Sequence, residues 1–175
     1  MDENVSEKFS DHEARNTAAD PLNASGVLER REIEARIIAP LLDAFGEEFG
    51  RDRVMEVARE VIVKVARQQG AQLAENMGGR TLDHFAVSMD AWKIGDAIEM
   101  EVLKKSDRVF EFNITRCRYA EMYAELGIPE LGTLLSCNRD FALIEGFNAD
   151  ITLTRTQTIM EGESYCDFRF ELKDL

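Results

Sequence analysis

Three cysteines are the residues of this sequence best suited to chemistry: Cys117, Cys137 and Cys166. They lie 20 and 29 residues apart, so no pair has the C-x-x-C spacing that is typical of zinc ribbons and redox motifs. A free cysteine is often a small buried hydrophobic residue, and this alternative applies to each of the three. It applies most directly to Cys166, because Phe168 and Phe170 follow it on the same face of a predicted strand.

The segment around Cys137 is polar, and it lies where one helix is predicted to end and another to begin. The amide groups of a helix start and the neighbouring Arg139 predict a lowered pKa for this thiol. Asp140 follows three residues later, so one helical turn brings its carboxylate near the sulfur. We therefore predict that Cys137, Asp140 and Cys166 are catalytic and meet at one pocket, with a helix-capping role as the alternative for Asp140.

Arg155 interrupts a strand pattern, since alternation places it on the same face as Ile151 and Leu153. A buried guanidinium requires a partner, either an internal carboxylate such as Asp140 or Asp167, or the carboxylate of a ligand. We favour the ligand slightly. The other interpretation is that the strand ends before Arg155.

Of the two histidines, His12 lies in a polar N-terminal segment and His84 lies beside an apolar helical stripe. A structural or surface role is the better expectation for His84. A hydrolase built on a Cys–His or Ser–His–Asp arrangement would nevertheless have to use it.

The spacing of apolar residues changes along the chain. Up to Gly95 they repeat at intervals of three and four, which predicts helices, with a kink or break at Pro40. From Ile98 onward they mainly alternate, and the predicted strands cover residues 98–102, 110–114, 151–159 and 165–172. Helices followed by paired strands indicate an α+β fold, with N-terminal helices packed on a small, mainly antiparallel sheet of about four strands.

The predicted domain organisation is simple. Residues 1–24 are polar and are expected to form a flexible acidic tail. Residues 25–175 are expected to form one domain, helical over 25–95 and strand-rich over 96–175.

The net charge of −13 excludes nucleic acid as a partner and disfavours an anionic membrane surface. No apolar run approaches the roughly 20 residues that span a bilayer. An odd number of cysteines and an acidic N-terminus without a secretory pattern predict reduced thiols and a cytoplasmic location. The expected partner is a small molecule, and a homo-oligomer is left open.

The C-terminal half of the sequence resembles the L-2-amino-thiazoline-4-carboxylic acid hydrolase family. The segments that carry the resemblance are Arg116–Tyr123, Glu125–Gly132, Ser136–Asp140, Gly146–Asn148 and Gly162–Arg169. The helical half resembles the family only in length and in the order of its elements.

This resemblance implies a hydrolase that opens a cyclic amidine, a thiazoline carboxylate, to an N-carbamoyl amino acid. Such a reaction needs a base for water, an acid for the departing sulfur and a cation for the substrate carboxylate. Asp140 is then the base and a cysteine the acid or nucleophile. Arg155 or Arg116 is the carboxylate clamp, and Cys117 and His84 complete the substrate-binding set. We expect no cofactor; Zn²⁺ bound by the cysteines with Asp140 or His84 is the alternative.

The Cys-Asp-Phe sequence at residues 166–168 also resembles ligand-binding domains of the four-vinyl-reductase type. This second resemblance implies a different class of function. The pocket would bind a small ligand or a partner without turning it over.

Overall fold

The computed structural model describes residues 26–173 as helices followed by a sheet. The predicted tail, residues 1–24, lies outside the described residues. The α-helices are α1 (Val27–Phe49), α2 (Arg51–Met77), α3 (Leu82–Ser88), α4 (Asp90–Lys93), α5 (Arg118–Glu125), α6 (Pro129–Gly132) and α7 (Arg139–Phe147). The strands are β1 (Ile98–Lys105), β2 (Val109–Cys117), β3 (Ile151–Thr154) and β4 (Cys166–Leu172).

The four strands form one antiparallel sheet in the order β1-β2-β4-β3. This confirms the predicted α+β class, including the hairpin of β1 and β2. Alternation buries one face, where Phe112 stacks on Phe168 with ring centroids 5.0 Å apart. Phe110 and Phe170 continue this aromatic layer, and Phe85 of α3 packs on it from the helical side.

Strand β3 is shorter than predicted, ending at Thr154 instead of continuing to residue 159. The reason lies in β4, where the Asp167 carboxylate accepts hydrogen bonds from the backbone N–H groups of Thr156 and Gln157, each at 2.9 Å. A side chain therefore takes the donors that a longer strand would offer to its neighbour. A 3₁₀ turn, Ile159–Glu161, follows.

Helix α1 runs through Pro40 without a break, so the break that was one of the two alternatives there is wrong, and the kink stays a prediction. The buried face of α1 is not made of its largest apolar side chains. The residues that α1 buries most are Ala35, Ala39 and Leu42, whereas Ile37 is 58% exposed. Small side chains on this face let α1 lie close to its neighbours, and the larger side chains are left outside.

The segment between α6 and α7 is a turn of π-helix, Thr133–Cys137, in which the Asn138 N–H donates to the Thr133 carbonyl at 2.9 Å. Single π-helical turns are frequent at functional sites, because the wider turn changes the direction of the side chains. Here the turn carries Cys137 directly before α7.

Within residues 26–173, no helix combines the length and the apolar character needed to cross a bilayer.

Helices α2 and α7 approach each other at two glycines. A Cβ atom on Gly70 would lie 1.9 Å from the Leu143 carbonyl oxygen, and one on Gly146 would lie 1.9 Å from the Arg67 carbonyl oxygen. Both distances are far below van der Waals contact, so the two backbones can pack this closely only without side chains at these positions.

We predict that Gly146→Ala lowers the free energy of unfolding by about 1–3 kcal/mol, because the added methyl group forces the helices apart. The matched control is Gly46→Ala in α1, whose new Cβ would lie 3.4 Å from the nearest atom, at ordinary contact distance. That variant should be unchanged or more stable by up to about 1 kcal/mol, since alanine favours helix. Urea denaturation measures both, and equal effects would contradict the close approach.

Candidate functional site

A cavity of about 100 Å³ lies between the N-terminal part of α1, the π-helical turn and the buried face of the sheet. Its wall is mostly apolar. The residues that line it are Val27, Arg31, Trp92, Ile98, Ile114, Cys117, Tyr119, Ser136, Cys137, Arg139, Asp140, Leu143, Arg155, Met160, Cys166 and Phe168. We call this cavity the pocket.

A second cavity, of about 260 Å³, lies on the other face of the sheet among Lys104, Glu111 and Arg169. It is larger, but the Arg169 guanidinium is already bound to the Phe112 carbonyl and to the Asn113 side chain. The smaller pocket is the better candidate site, because it contains the thiols and a buried ion pair.

The pocket brings together the three cysteines and Asp140. Strands β2 and β4 are antiparallel, so the end of β2, with Cys117, lies beside the start of β4, with Cys166. The π-helical turn and the first turn of α7 then place Cys137 and Asp140 in the same wall. The predicted convergence is present; the catalytic roles of these residues stay predictions.

Arg155 forms a buried ion pair with Asp140 in this wall. One guanidinium nitrogen donates to the Asp140 carboxylate, and the other donates to the Cys137 carbonyl at 3.1 Å. The guanidinium also lies over the rings of Phe141 and Phe168, at 5.1 and 5.0 Å from their centroids. Only 6% of the Arg155 side chain is exposed, so the pair is shielded from water.

These contacts answer two questions about Arg155: whether the strand ends before it, and which carboxylate its guanidinium binds. The strand does end before it, yet the side chain still points inward. Its partner is the internal carboxylate of Asp140, and Asp167 instead fixes the backbone of the two residues after it. Asp140 does not cap α7.

Burial dominates the ionisation of the pocket. It raises the pKa of the Asp140 carboxyl group above its usual range, and Arg155 opposes this shift without cancelling it. Burial also raises the pKa of the Cys137 and Cys117 thiols, and that of Cys166 to about 11.

The prediction of a lowered pKa for Cys137 is therefore wrong. Two physical reasons account for this. Asn138 is helical, and its N–H group is used by the π-helical turn, so no free helix start faces the sulfur. The negative charge of Asp140 also raises the pKa of the Cys137 thiol, and this effect is second in size to that of burial.

Sequence reasoning missed Arg139 and Arg31 as pocket residues. Arg139 is 8% exposed, and burial lowers the pKa of its guanidinium to about 10. It donates to the Gln69 side chain at 2.6 Å, and no carboxylate within residues 26–173 is in ion-pair contact with it. Arg31 pairs with Glu34 of its own helix. The missed signal was a basic residue at the first position of α7, where acidic residues are preferred.

A family profile fits most of this chain. The profile described as L-2-amino-thiazoline-4-carboxylic acid hydrolase matches residues 30–170. The chain belongs to this family. The match includes the helical half, which the sequence motifs had related to the family only by length and order.

Other comparisons are weaker. A search of curated proteins found no match. Two similar solved structures are a trafficking protein particle complex subunit 3 from Naegleria fowleri covalently bound to palmitic acid, and the phenol-responsive sensory domain of the transcription activator PoxR with phenol. The first is 12% identical and covers 83% of this chain and 96% of its own, and the second is 8% identical with 77% and 72%. Both TM-scores are 0.49, so neither likeness bears on function.

Arg116 and His84, predicted as substrate-binding residues of this hydrolase family member, lie outside the pocket. Arg116 precedes Cys117 on β2, and adjacent strand residues point to opposite faces. Its guanidinium binds Glu121 through hydrogen bonds of 2.9 and 3.2 Å. The imidazole of His84 lies 2.6 Å from the Thr81 hydroxyl at the start of α3.

In the part of the chain that the structure describes, no three His, Cys, Asp or Glu side chains are grouped so that they could hold a metal ion. The zinc alternative required the cysteines together with Asp140 or His84. Asp140 binds Arg155 and His84 lies at the start of α3, and zinc binding by the cysteines stays a prediction.

We predict that Arg155→Lys lowers the free energy of unfolding by about 1–3 kcal/mol. Lysine keeps the charge but cannot bind Asp140 and the Cys137 carbonyl in one plane between two aromatic rings. The control is Arg116→Lys at the exposed pair with Glu121, which should leave the denaturation midpoint unchanged. Equal urea denaturation midpoints for the two variants would show that the buried contacts of the Arg155 guanidinium stabilise the protein no more than the exposed pair of Arg116 does.

Proposed function

We propose that the pocket hydrolyses a small cyclic amidine carboxylate of the L-2-amino-thiazoline-4-carboxylate type to an N-carbamoyl amino acid. The observation that carries this proposal is Asp140, a buried carboxyl group with a raised pKa, fixed by Arg155 in the wall of the pocket. Membership of the family supplies the type of reaction.

The proposed reaction consumes one water molecule. Its oxygen attacks the amidine carbon, one of its protons moves to the ring nitrogen, and a tetrahedral intermediate forms. The second proton passes to the ring sulfur as the carbon–sulfur bond breaks and the carbonyl group of the product forms. The product is a urea with a free thiol and an unchanged carboxylate.

Asp140 is the residue proposed to move these protons. A carboxylate with an ordinary pKa near 4 is a weak base at neutral pH, and raising that pKa strengthens the base. Once protonated by water, the same group is a suitable acid for the departing sulfur. Arg155 holds the carboxylate in one orientation, so that both transfers occur through a positioned atom.

Arg139 is proposed to bind the substrate carboxylate, a role that the sequence had suggested for Arg155. The Arg155 guanidinium is already bound to Asp140 and Cys137, whereas the Arg139 guanidinium lines the pocket and donates to the uncharged Gln69 side chain. A nearly buried guanidinium without a carboxylate gains most from an anionic ligand. Arg31 adds positive charge on the same side of the pocket.

The cysteines are proposed to act as neutral thiols. Their raised pKa values keep the sulfur atoms protonated near neutral pH, which disfavours a thiolate nucleophile. Polarisable thiols around a sulfur-containing ring form a complementary apolar wall. We propose that the reaction occurs in the cytoplasm without a metal or an organic cofactor.

A second candidate is a binding site without turnover. The largely apolar lining, which includes Trp92, Ile114 and Phe168, favours it. This function requires the pocket but no proton transfer by Asp140. Calorimetry tests whether the substrate binds. If it binds but no thiol is released, even with added Zn²⁺ or Mn²⁺, binding without turnover replaces the hydrolase proposal.

We predict that the pure protein releases a thiol from L-2-amino-thiazoline-4-carboxylate and that Asp140→Asn lowers kcat by about 10²–10⁴-fold. Asparagine has the same shape but cannot accept the proton. Because the base must be ionised, the wild-type rate should fall as pH falls through a pKa above the usual value of about 4.

The control variant is Asp83→Asn, at an exposed carboxylate that pairs with Lys105, and it should keep full activity. Cys137→Ala separates the two mechanisms. Retention of most activity supports Asp140 as the acid–base group, whereas a loss as large as that of Asp140→Asn would make the thiol a reacting group.

We also predict that Arg139→Gln raises KM by about 10–100-fold with a smaller effect on kcat, as expected for the loss of one charged hydrogen bond. The variant should no longer discriminate between the substrate and 2-amino-thiazoline, which lacks the carboxylate. Arg67→Gln, at an exposed arginine that pairs with Glu145 of α7, is the control and should keep the discrimination. Unchanged discrimination in Arg139→Gln would place the carboxylate elsewhere.

A further inference from the structure

Helix α1 has a second apolar face that this chain leaves open. Five large side chains on it are between 48% and 67% exposed: Ile33, Ile37, Leu41, Phe45 and Phe49. We call these residues the α1 ridge. The face of α1 that packs on the rest of the chain is a different one, with Ala35, Ala39 and Leu42.

The α1 ridge is unusually large for a surface. A buried aromatic side chain covers about 150–250 Å², and the five ridge residues are about half exposed. Val57 and Val61, on the neighbouring helix α2, are 40% and 48% exposed. Together these side chains expose an area on the order of 600 Å², the upper end of what a monomer usually presents as one patch. An interface of standard size needs about 800 Å² from each partner.

We propose that the α1 ridge binds the α1 ridge of a second copy of this chain, forming a two-fold symmetric dimer. The five residues are spaced by four, and such i±4n rows are the ridges that interdigitate in the commonest class of helix packing. An antiparallel pairing about Leu41 places Ile37 opposite Phe45, and Ile33 and Phe49 flank this contact because each step of four residues turns the row by about 40°. The row is thus complementary to itself, which is the requirement for an isologous interface. The antiparallel direction also places the opposite ends of the two helix dipoles together.

Residues 1–25 of the same chain are the alternative occupant of the α1 ridge. They contain four large apolar residues, namely Met1, Val5, Phe9 and Leu22, and six acidic ones. This composition suits the α1 ridge less well than a second copy does. If the segment covered the ridge within one chain, the protein would be a monomer.

The test is the mass of the full chain in solution, by light scattering and sedimentation equilibrium near 100 µM, a concentration on the order of those at which moderate dimers form. The chain has a mass of 19.8 kDa, and the expected species is twice that. Raising the salt concentration should preserve the dimer, because two copies with a charge of −13 repel each other and the contact is apolar. A wild-type monomer would overturn the proposal.

Charged substitutions locate the interface. Ile37→Glu and Phe45→Glu should each shift the dissociation constant by at least 100-fold toward the monomer. The controls are equally exposed residues outside α1, namely Val87→Glu, with 57% exposure against 58% for Ile37, and Leu103→Glu, with 48% as for Phe45. Dimers that persist in the ridge variants, or that are lost in the controls, contradict the assignment.

Engineered cysteines test the symmetry. Because residue 41 meets itself at the two-fold axis, Leu41→Cys should form a disulfide between chains on oxidation. Ile33→Cys should not, since its position lies about 12 Å along the helix from the two-fold axis. Crosslinking of Ile33→Cys without crosslinking of Leu41→Cys would exclude the antiparallel pairing. These measurements do not depend on catalysis, so they succeed or fail independently of the proposed hydrolase activity.

Discussion

The buried ion pair between Asp140 and Arg155 is the interaction on which the candidate site depends. It joins the first turn of α7 to the chain after β3, two segments that share no backbone ladder. Removing either partner would leave a charge in a wall of low dielectric, which costs several kcal/mol. The pair also fixes the orientation of the carboxylate, while burial keeps the pKa of that group raised.

The close packing of α2 against α7 positions the other half of the site. Gly70 and Gly146 allow the two backbones to touch, and Gln69, the residue before Gly70, then reaches the Arg139 guanidinium. The first turn of α7 is therefore fixed from two sides, by Gln69 at one arginine and by Arg155 at the neighbouring carboxylate. A positively charged group and an acid–base group are held in one wall without mutual pairing.

Desolvation explains why the pKa values of the three thiols are raised although arginines lie nearby. A guanidinium near a sulfur lowers its pKa only when the thiolate gains more from the charge than it loses in hydration. In this pocket burial is the larger influence for Cys117, Cys137 and Cys166. The proposed mechanism therefore assigns the ionic chemistry to the carboxylate and the guanidinium, and shape and polarisability to the sulfur atoms.

The amino-acid sequence by itself determined those features that depend on local periodicity. Alternation in residues 98–114 and 166–172 specified antiparallel strands with a phenylalanine face, and the same alternation indicated that Arg155 points inward. The segments between Arg116 and Arg169 indicated the family. The strand predictions succeed because the strand period acts on neighbouring residues along the chain.

The tertiary structure alone decided which groups meet and which are dehydrated. Periodicity showed that Arg155 was buried, but only the packing of α7 on the sheet selected Asp140 over Asp167 as its partner. Arg116 and Cys117 differ by one position, and strand geometry sent only the second into the pocket. In α1, local spacing predicted a helix without deciding which side chains it buries. Packing against the rest of the chain selected Ala35 and Ala39, because close contact between helices depends on the size of side chains that are far apart in the sequence.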